Sequence, residues 1–214
     1  MKLKDCHNFE DFRKLAKKKL PSPIFHYIDG GADDEVTLNR NTSSFNDYDL
    51  VPSVLNDVSN IDMSTTVLGE KIDFPLFPAA TAMHRLYHHE GERASAKAVE
   101  KMGTIFGTST MGTVSIEEIA KVNKGPKLFQ LYIHKDRGLT DNLLERCKKS
   151  GFSSMCLTVD TVVAGNRERD RRTGFTTPPK LTLGSLLSFA LHPGWTINNL
   201  IHEKFKLANI VHMT

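Results

Sequence analysis

Apolar and polar positions follow a helical spacing at the start of the chain and change to short apolar runs further on. Asn8 is placed to cap a helix over Phe9–Leu20, with Phe12, Leu15 and Ala16 as its apolar face, Asp11 in its first turn and Lys17–Lys19 at its far end. Pro21 stops it. Ile24–Ile28 is a short aromatic helical piece ending at Gly30–Gly31, and Asp33 or Asp34 opens another helix through Glu35–Asn41. Thr65–Leu68 and Glu70–Ile72 flank Gly69 as the arms of a small hairpin. From residue 74 onward, apolar runs alternate with amphipathic segments. Phe74–Ala80 reads as a strand, and Glu90–Met102 as a helix with Ala94, Ala98 and Met102 on one face, His88 and His89 lying just before it. Thr104–Thr108 is a strand. Ser115 and Glu118 form a capping box for a short helix, and Leu128–Tyr132 is a strand. Leu139–Lys149 is a helix with Leu139, Leu143 and Cys147 on one face, and Met155–Val159 is a strand.

Strand and helix thus alternate four times. The polar residues at the strand ends, Thr81, Ser109, Tyr132 and Thr158, are separated by 28, 23 and 26 residues. That period predicts β/α units and a parallel sheet whose strands are apolar on both faces. Two closures are open, a (β/α)8 barrel and a doubly wound sheet. No G-x-G-x-x-G follows the first strand, which disfavours a dinucleotide site of the Rossmann type. Polar residues gathered at the C-terminal ends of successive strands favour the barrel. Pro78 inside the first strand counts against that strand's assignment.

Composition narrows the classes. A chain of 214 residues, 39% hydrophobic and 25% charged, belongs with soluble globular proteins. A net charge of +3, with basic residues spread along the chain, does not suggest a nucleic-acid partner. Three widely spaced cysteines, Cys6, Cys147 and Cys156, argue against a disulfide framework and for a reducing, cytoplasmic setting; Cys147 and Cys156 read as small core residues. The nine histidines show no metal-ligand spacing, so no metal is expected. The N-terminus has no apolar signal core, and no run reaches the roughly 18 apolar residues of a membrane span. The tail, 178–214, differs from what precedes it: Leu181–Leu191 is apolar, Pro193–Gly194–Trp195 breaks it, and Asn198–Leu207 resumes as a helix. Two readings of this tail stand side by side, contact with a membrane interface and an excursion packed on its own domain or on a neighbouring subunit.

Candidate chemistry concentrates in Gly151–Arg172. The strand releases a hydroxyl (Thr158), then a carboxylate (Asp160), and after Gly165 arginines at 167, 169, 171 and 172. Taken alone, the cluster reads better as a buried strand with a solvated charged loop. Tyr27, just before the glycines, reads alone as a packed aromatic with a satisfied hydroxyl.

Four segments in order change that balance: FHYIDGGADDEVTLNRN (25–41), AATAMHRLYHHEGERASAKA (79–98), FQLYIHKDR (129–137) and LTVDTVVAGNRERD (157–170). Through them nearly the whole chain resembles the FMN-dependent L-2-hydroxy acid dehydrogenase/oxidase family. FHYIDGGA and HPGW (192–195) resemble its bacterial lactate dehydrogenase branch more than the plant glycolate oxidases. The resemblance implies a TIM (β/α)8 barrel, here the first four β/α units (74–177) behind an N-terminal helical and hairpin segment (1–73), with FMN at the C-terminal face. It implies that Ala80, Thr81 and Ala82 line the flavin and that Ser109, Gln130 and Thr158 hydrogen-bond its ring edge, where short polar groups can satisfy carbonyl acceptors and an imide N–H. The family usually carries Ala-Pro-Thr at 79–81; here the proline stands at 78 and Ala80 takes its place.

On the substrate side, the resemblance gives Arg167 and Tyr27 to the carboxylate of a small 2-hydroxy acid, L-lactate foremost, and Tyr132 to its α-oxygen. It gives Asp160 the task of orienting a catalytic histidine. That histidine and a second arginine belong to a segment resembling Ser-Asn-His-Gly-Gly-Arg-Gln, which the 214 residues do not contain. His192, His202 and His212 lack its context and read as loop or surface residues. A full barrel needs about 250 residues, so the expectation is the N-terminal half of such an enzyme, inactive by itself, binding FMN poorly and leaving a sheet edge unpaired. The electron acceptor (quinone, cytochrome or oxygen) is open, and a homo-oligomer and peripheral contact with the inner face of the cell membrane are expected of the full-length protein. The competing readings are a non-catalytic half-barrel acting as a binding or assembly module, and an unrelated barrel enzyme for a phosphorylated substrate; the latter would need a phosphate loop that is not seen.

Overall fold

The computed structural model describes residues 2–176 and 179–210. It divides into two compact units, one formed by the chain up to Asn56 together with Val163–His202, the other by Asp57–Val162 and the chain from Glu203 onward.

The first unit is helical. Helix α1 (Phe9–Lys19) is capped by the Asn8 side chain, which accepts the Asp11 N–H at 2.9 Å. Of its expected face only Leu15 is buried, while Phe12 is half exposed. Helix α2 (Ser22–Asp29) follows Pro21 and buries Pro23, Ile24 and Phe25. Helix α3 (Val36–Ser43) starts one residue later than expected, after Glu35 in a left-handed conformation.

The second unit begins with the hairpin of β1 (Thr65–Val67) and β2 (Glu70–Ile72), antiparallel, with Thr65 opposite Ile72. Leu68 and Gly69 both have positive φ, 53° and 83°, the conformation of a two-residue turn whose twist matches the strands. Its main sheet has three parallel strands in chain order: β3 (Phe106–Ser109), β4 (Lys127–Leu131) and β5 (Ser154–Leu157). Between them run α4 (Glu92–Lys101) before β3, α5 (Ile116–Val122) and α6 (Arg137–Lys149). The α5 capping box is formed as expected: Ser115 Oγ accepts the Glu118 N–H, and the Glu118 carboxylate accepts the Ser115 N–H. The α6 face is also as expected, with Leu139, Leu143 and Cys147 buried with Ile116, Phe129 and Leu131. Burial pushes the Cys147 thiol up to about 12.

Four expectations are corrected. Phe74–Ala80 does not join the sheet as a strand, so three parallel strands, not four, are present among the described residues. Pro75 and Pro78 have no N–H to give a ladder. The segment instead runs beside β3 through isolated bonds, Asp73 N–H to the Gly103 carbonyl and Thr104 Oγ1 to the Leu76 carbonyl, both at 2.8 Å. Helix α4 buries Glu92, Ala96 and Val99 instead of Ala94, Ala98 and Met102. Its orientation follows Glu92, 1% exposed, whose carboxylate accepts the Thr113 N–H at 2.8 Å and hydroxyl at 2.5 Å. The strands are not all buried on both faces. β3 is, but β5 forms an edge with Met155, Cys156 and Leu157 exposed, so Cys156 is not a core residue.

In the tail, helix α8 (Leu183–Leu191) follows the short helix α7 (Glu168–Thr173). Pro193 then opens helix α9 (Pro193–Ile201) where a break was expected, because proline at the first helical position costs no hydrogen bond. The helix expected to reach Leu207 therefore ends at Ile201. Residues 203–210 belong to the second unit. Glu203 receives Arg85 at 2.9 Å and Arg93 at 3.3 Å, and the Asn209 side chain accepts the Ile116 N–H at 3.0 Å. The boundary expected at 177/178 falls on residues outside the described ones.

Candidate functional site

The parallel register brings together the three residues expected at a flavin edge. Ser109 is the partner of Gln130 across β3 and β4, and the Thr158 N–H donates to the Leu131 carbonyl at 2.9 Å, continuing the ladder past the end of β5. Three polar side chains therefore stand side by side at the C-terminal ends of three successive strands. Ser109 Oγ donates to Gln130 Oε1 at 2.8 Å, and Gln130 Nε2 donates to Thr158 Oγ1 at 2.5 Å. Ser109 Oγ also accepts the Met111 N–H at 3.2 Å. Ser109 and Gln130 are buried and Thr158 is half-buried. In this arrangement the second Gln130 N–H and the Thr158 O–H remain as donors, and Gln130 Oε1 keeps a second lone pair. The two donors fit the acceptor carbonyls of a flavin ring edge, and the free lone pair of Gln130 Oε1 fits its imide N–H.

Ala80 lies hard against β3: a Cβ added at Gly107 would fall 3.1 Å from the Ala80 Cβ. Glycine at 107 thus permits the close approach of the 79–82 segment. Thr81 is exposed, and its hydroxyl is 2.5 Å from His84 Nε2; Ala82 is half-buried. Tyr132 is half-buried, and its N–H donates to Thr110 Oγ1 at 3.2 Å. Asp160 is exposed in the turn after β5.

Tyr27 and Arg167 belong to the first unit, where they meet. The guanidinium carbon lies 5.2 Å from the Tyr27 ring centroid, a cation–π contact, and Arg167 donates to the Tyr27 and Gly30 main-chain carbonyls. The Tyr27 ring also packs edge-on against Phe175 at 5.2 Å.

Asp170 was missed. It is buried and takes Arg167 Nε at 2.5 Å, so part of the arginine's charge is already matched. The R-x-x-D spacing on one helical turn was the readable signal. Arg169 was read as solvated and is not: it donates to Asp29 Oδ2 at 2.8 Å and to the Glu35 carboxylate. Hydrogen bonds from Arg13 and Arg169 hold the Asp29 carboxyl below its usual range. No local pattern pointed to that pair, since its partners lie more than 130 positions away. His192 and His202 each turn Nδ1 to a main-chain carbonyl four residues back, at 2.6 and 2.7 Å; His212 lies outside the described residues.

The chain as a whole is similar to known proteins. The family model for FMN-dependent dehydrogenase matches residues 16–213. Glycolate oxidase of Spinacia oleracea is 43% identical over 176 residues, covering 82% of this chain and 48% of its own length. L-lactate dehydrogenase of Vibrio parahaemolyticus is 40% identical over 201 residues, 94% of this chain and 53% of that one. Among solved structures, the monotopic membrane protein (S)-mandelate dehydrogenase superposes with a TM-score of 0.89 at 34% identity, covering 97% of this chain and 55% of that chain. The chain belongs to the FMN-dependent dehydrogenase family, whose enzymes depend on FMN, and it spans about half the length of the curated relatives it matches.

Proposed function

We propose that this chain supplies the flavin-edge residues and part of the substrate-binding set of an FMN-dependent enzyme oxidising an L-2-hydroxy acid, L-lactate foremost, to the 2-oxo acid. The observation that carries this reading is the hydrogen-bonded line Ser109–Gln130–Thr158 across three parallel strand ends. In the reading, those three side chains hold the ring edge of FMN, and Ala80, Thr81 and Ala82 line the ring. FMN, when bound, supplies the two-electron acceptor for the α-carbon's hydrogen. Tyr132 hydrogen-bonds the α-oxygen, Arg167 and Tyr27 hold the carboxylate, and Asp160 orients a histidine that the 214 residues do not supply. The barrel closes by adding strands to the exposed edge of β5. Lactate is favoured over glycolate because the lactate dehydrogenase match covers more of the chain, 201 residues against 176 for glycolate oxidase.

The tail supports membrane contact. Leu183, Leu186, Leu187 and Leu191 on α8 and Ile197, Leu200 and Ile201 on α9 are all exposed, and a structural relative is described as a monotopic membrane protein. No helix among the described residues is long and apolar enough to cross a membrane. We propose a peripheral placement on the inner face of the membrane and a homo-oligomer for the complete enzyme.

The test is flavin absorbance and lactate-dependent dye reduction on the purified 214-residue chain. Weakly held flavin without turnover is expected; tight flavin with turnover overturns the account of this chain as part of the catalytic set. A second reading, a non-catalytic half-barrel that binds a partner through its edge, is favoured by one observation, the exposed apolar side chains of β5. It gains if the chain binds no flavin yet forms a stable complex with a full-length relative.

A further inference from the structure

His84 lies outside every role given above, yet it is the side chain that fixes Thr81. Its Nε2 is 2.5 Å from Thr81 Oγ1, and its Nδ1 is 3.2 Å from Ser95 Oγ on α4. The backbone beneath the ring is held separately. The His84 N–H donates to Glu92 Oε1 at 3.3 Å, and Met83, in a left-handed conformation, donates its N–H to the Met111 carbonyl at 3.2 Å. Both ring nitrogens therefore have a hydroxyl partner, and the ring's place does not depend on either of them alone.

Two directions fit a neutral ring between two hydroxyls: hydrogen on Nε2 donates to Thr81 while Nδ1 accepts from Ser95, or the reverse. Burial pushes the His84 pKa below its ordinary value, which favours the neutral ring with one N–H. Only with hydrogen on Nε2 does the Thr81 hydroxyl accept from the ring and keep its own proton for a second partner. Nδ1 then accepts from Ser95.

We propose that His84 is a positioning residue for the flavin: Ser95 donates to His84 Nδ1, His84 Nε2 donates to Thr81 Oγ1, and the Thr81 hydroxyl is left with its own proton to give to a flavin acceptor. This rests on the reading that Thr81 lines the flavin. Without His84 the Thr81 hydroxyl, exposed on an irregular segment, turns freely and loses that orientation.

Two measurements on the 214-residue chain test it. Nitrogen-15 NMR of the imidazole, read without flavin, should show the Nε2–H tautomer; the Nδ1–H tautomer overturns the proposal. FMN titration by fluorescence quenching should show His84→Phe weakening binding about tenfold, roughly the worth of one oriented hydrogen bond. His84→Gln, which can donate and accept at once, should stay within about twofold of wild type. Adding Thr81→Val to both the wild type and the His84→Phe variant should erase the difference between them. Equal FMN affinity for wild type and His84→Phe overturns the proposal while leaving the flavin reading intact. No FMN binding by the wild type sinks the flavin reading itself, and the tautomer measurement tells the two failures apart.

Discussion

Gln130 Nε2 donates to Thr158 Oγ1 at 2.5 Å, joining the end of β4 to the residue just past β5. The same amide accepts from Ser109 on β3, so a single buried side chain ties three strand ends together. Gln130→Leu keeps the volume and removes both bonds. It leaves the buried Ser109 hydroxyl without its acceptor, a cost of about 1–3 kcal/mol. The expected outcome is a loss of unfolding free energy of that size in urea titrations, together with weakened flavin binding; Gln130→Glu, which keeps the acceptor but loses the donor to Thr158, should fall between.

The arginines that follow Gly165 separate by burial. Arg169 joins α7 to Asp29 and Glu35 of the same unit, with its side chain 30% exposed, whereas Arg172 pairs with Glu168 on its own helix at 77% exposure. Exposed pairs within one helix contribute little. Arg169→Gln is expected to lower the urea midpoint clearly, and Arg172→Gln to leave it within experimental error. Equal shifts would show that the Asp29 and Glu35 contacts do not hold the unit.

Acid should loosen α5 from α6 in a defined window. Hydrogen bonds from Arg146, at 2.6 and 2.8 Å, depress the Glu117 carboxyl from 4.5 to about 2. A depressed carboxyl contributes stability above its unfolded pKa and loses it as pH falls through the folded value. The Glu117→Gln variant should therefore be less stable than wild type at about pH 6, and the gap should close between 4.5 and about 2. Urea titrations at several pH values read this directly.

The apolar faces of α8 and α9 give a fourth expectation. The chain should float with anionic vesicles, and a Leu183→Glu, Leu187→Glu double variant should stay at the bottom of the gradient, since both positions are exposed and the change leaves the core untouched. Absence of wild-type flotation removes the membrane proposal.

How much could be read beforehand depended on the range of the interaction. The hairpin, the Ser115–Glu118 box and the Leu139–Leu143–Cys147 face are set by residues within a few positions of one another, and all three formed. The parallel strands were legible because their polar ends recur at a β/α period. Phe74–Ala80 looked apolar enough for a strand, but its prolines withhold the ladder donors, a cost that hydrophobicity does not register. Helix α4 turned its carboxylate inward because Thr113 satisfies Glu92, and only the fold brings those two together. Cys156 sits on a strand that proved to be an edge, a property of the sheet rather than of the strand. Arg169 depends on partners at the other end of the chain, so its local surroundings suggested only a solvated charge.

The central claim is that Ser109, Gln130 and Thr158 grip the edge of the flavin ring. Titrating the purified 214-residue chain with FMN and with riboflavin tests it most directly, because these residues would meet the ring and not the phosphate. The account predicts saturable binding of both, on the order of tens of micromolar and equal within about threefold, with both weakened at least about tenfold by Gln130→Leu in a chain that remains folded by circular dichroism. Flavin affinity unchanged in Gln130→Leu, or no binding of either flavin by the wild type, would contradict it.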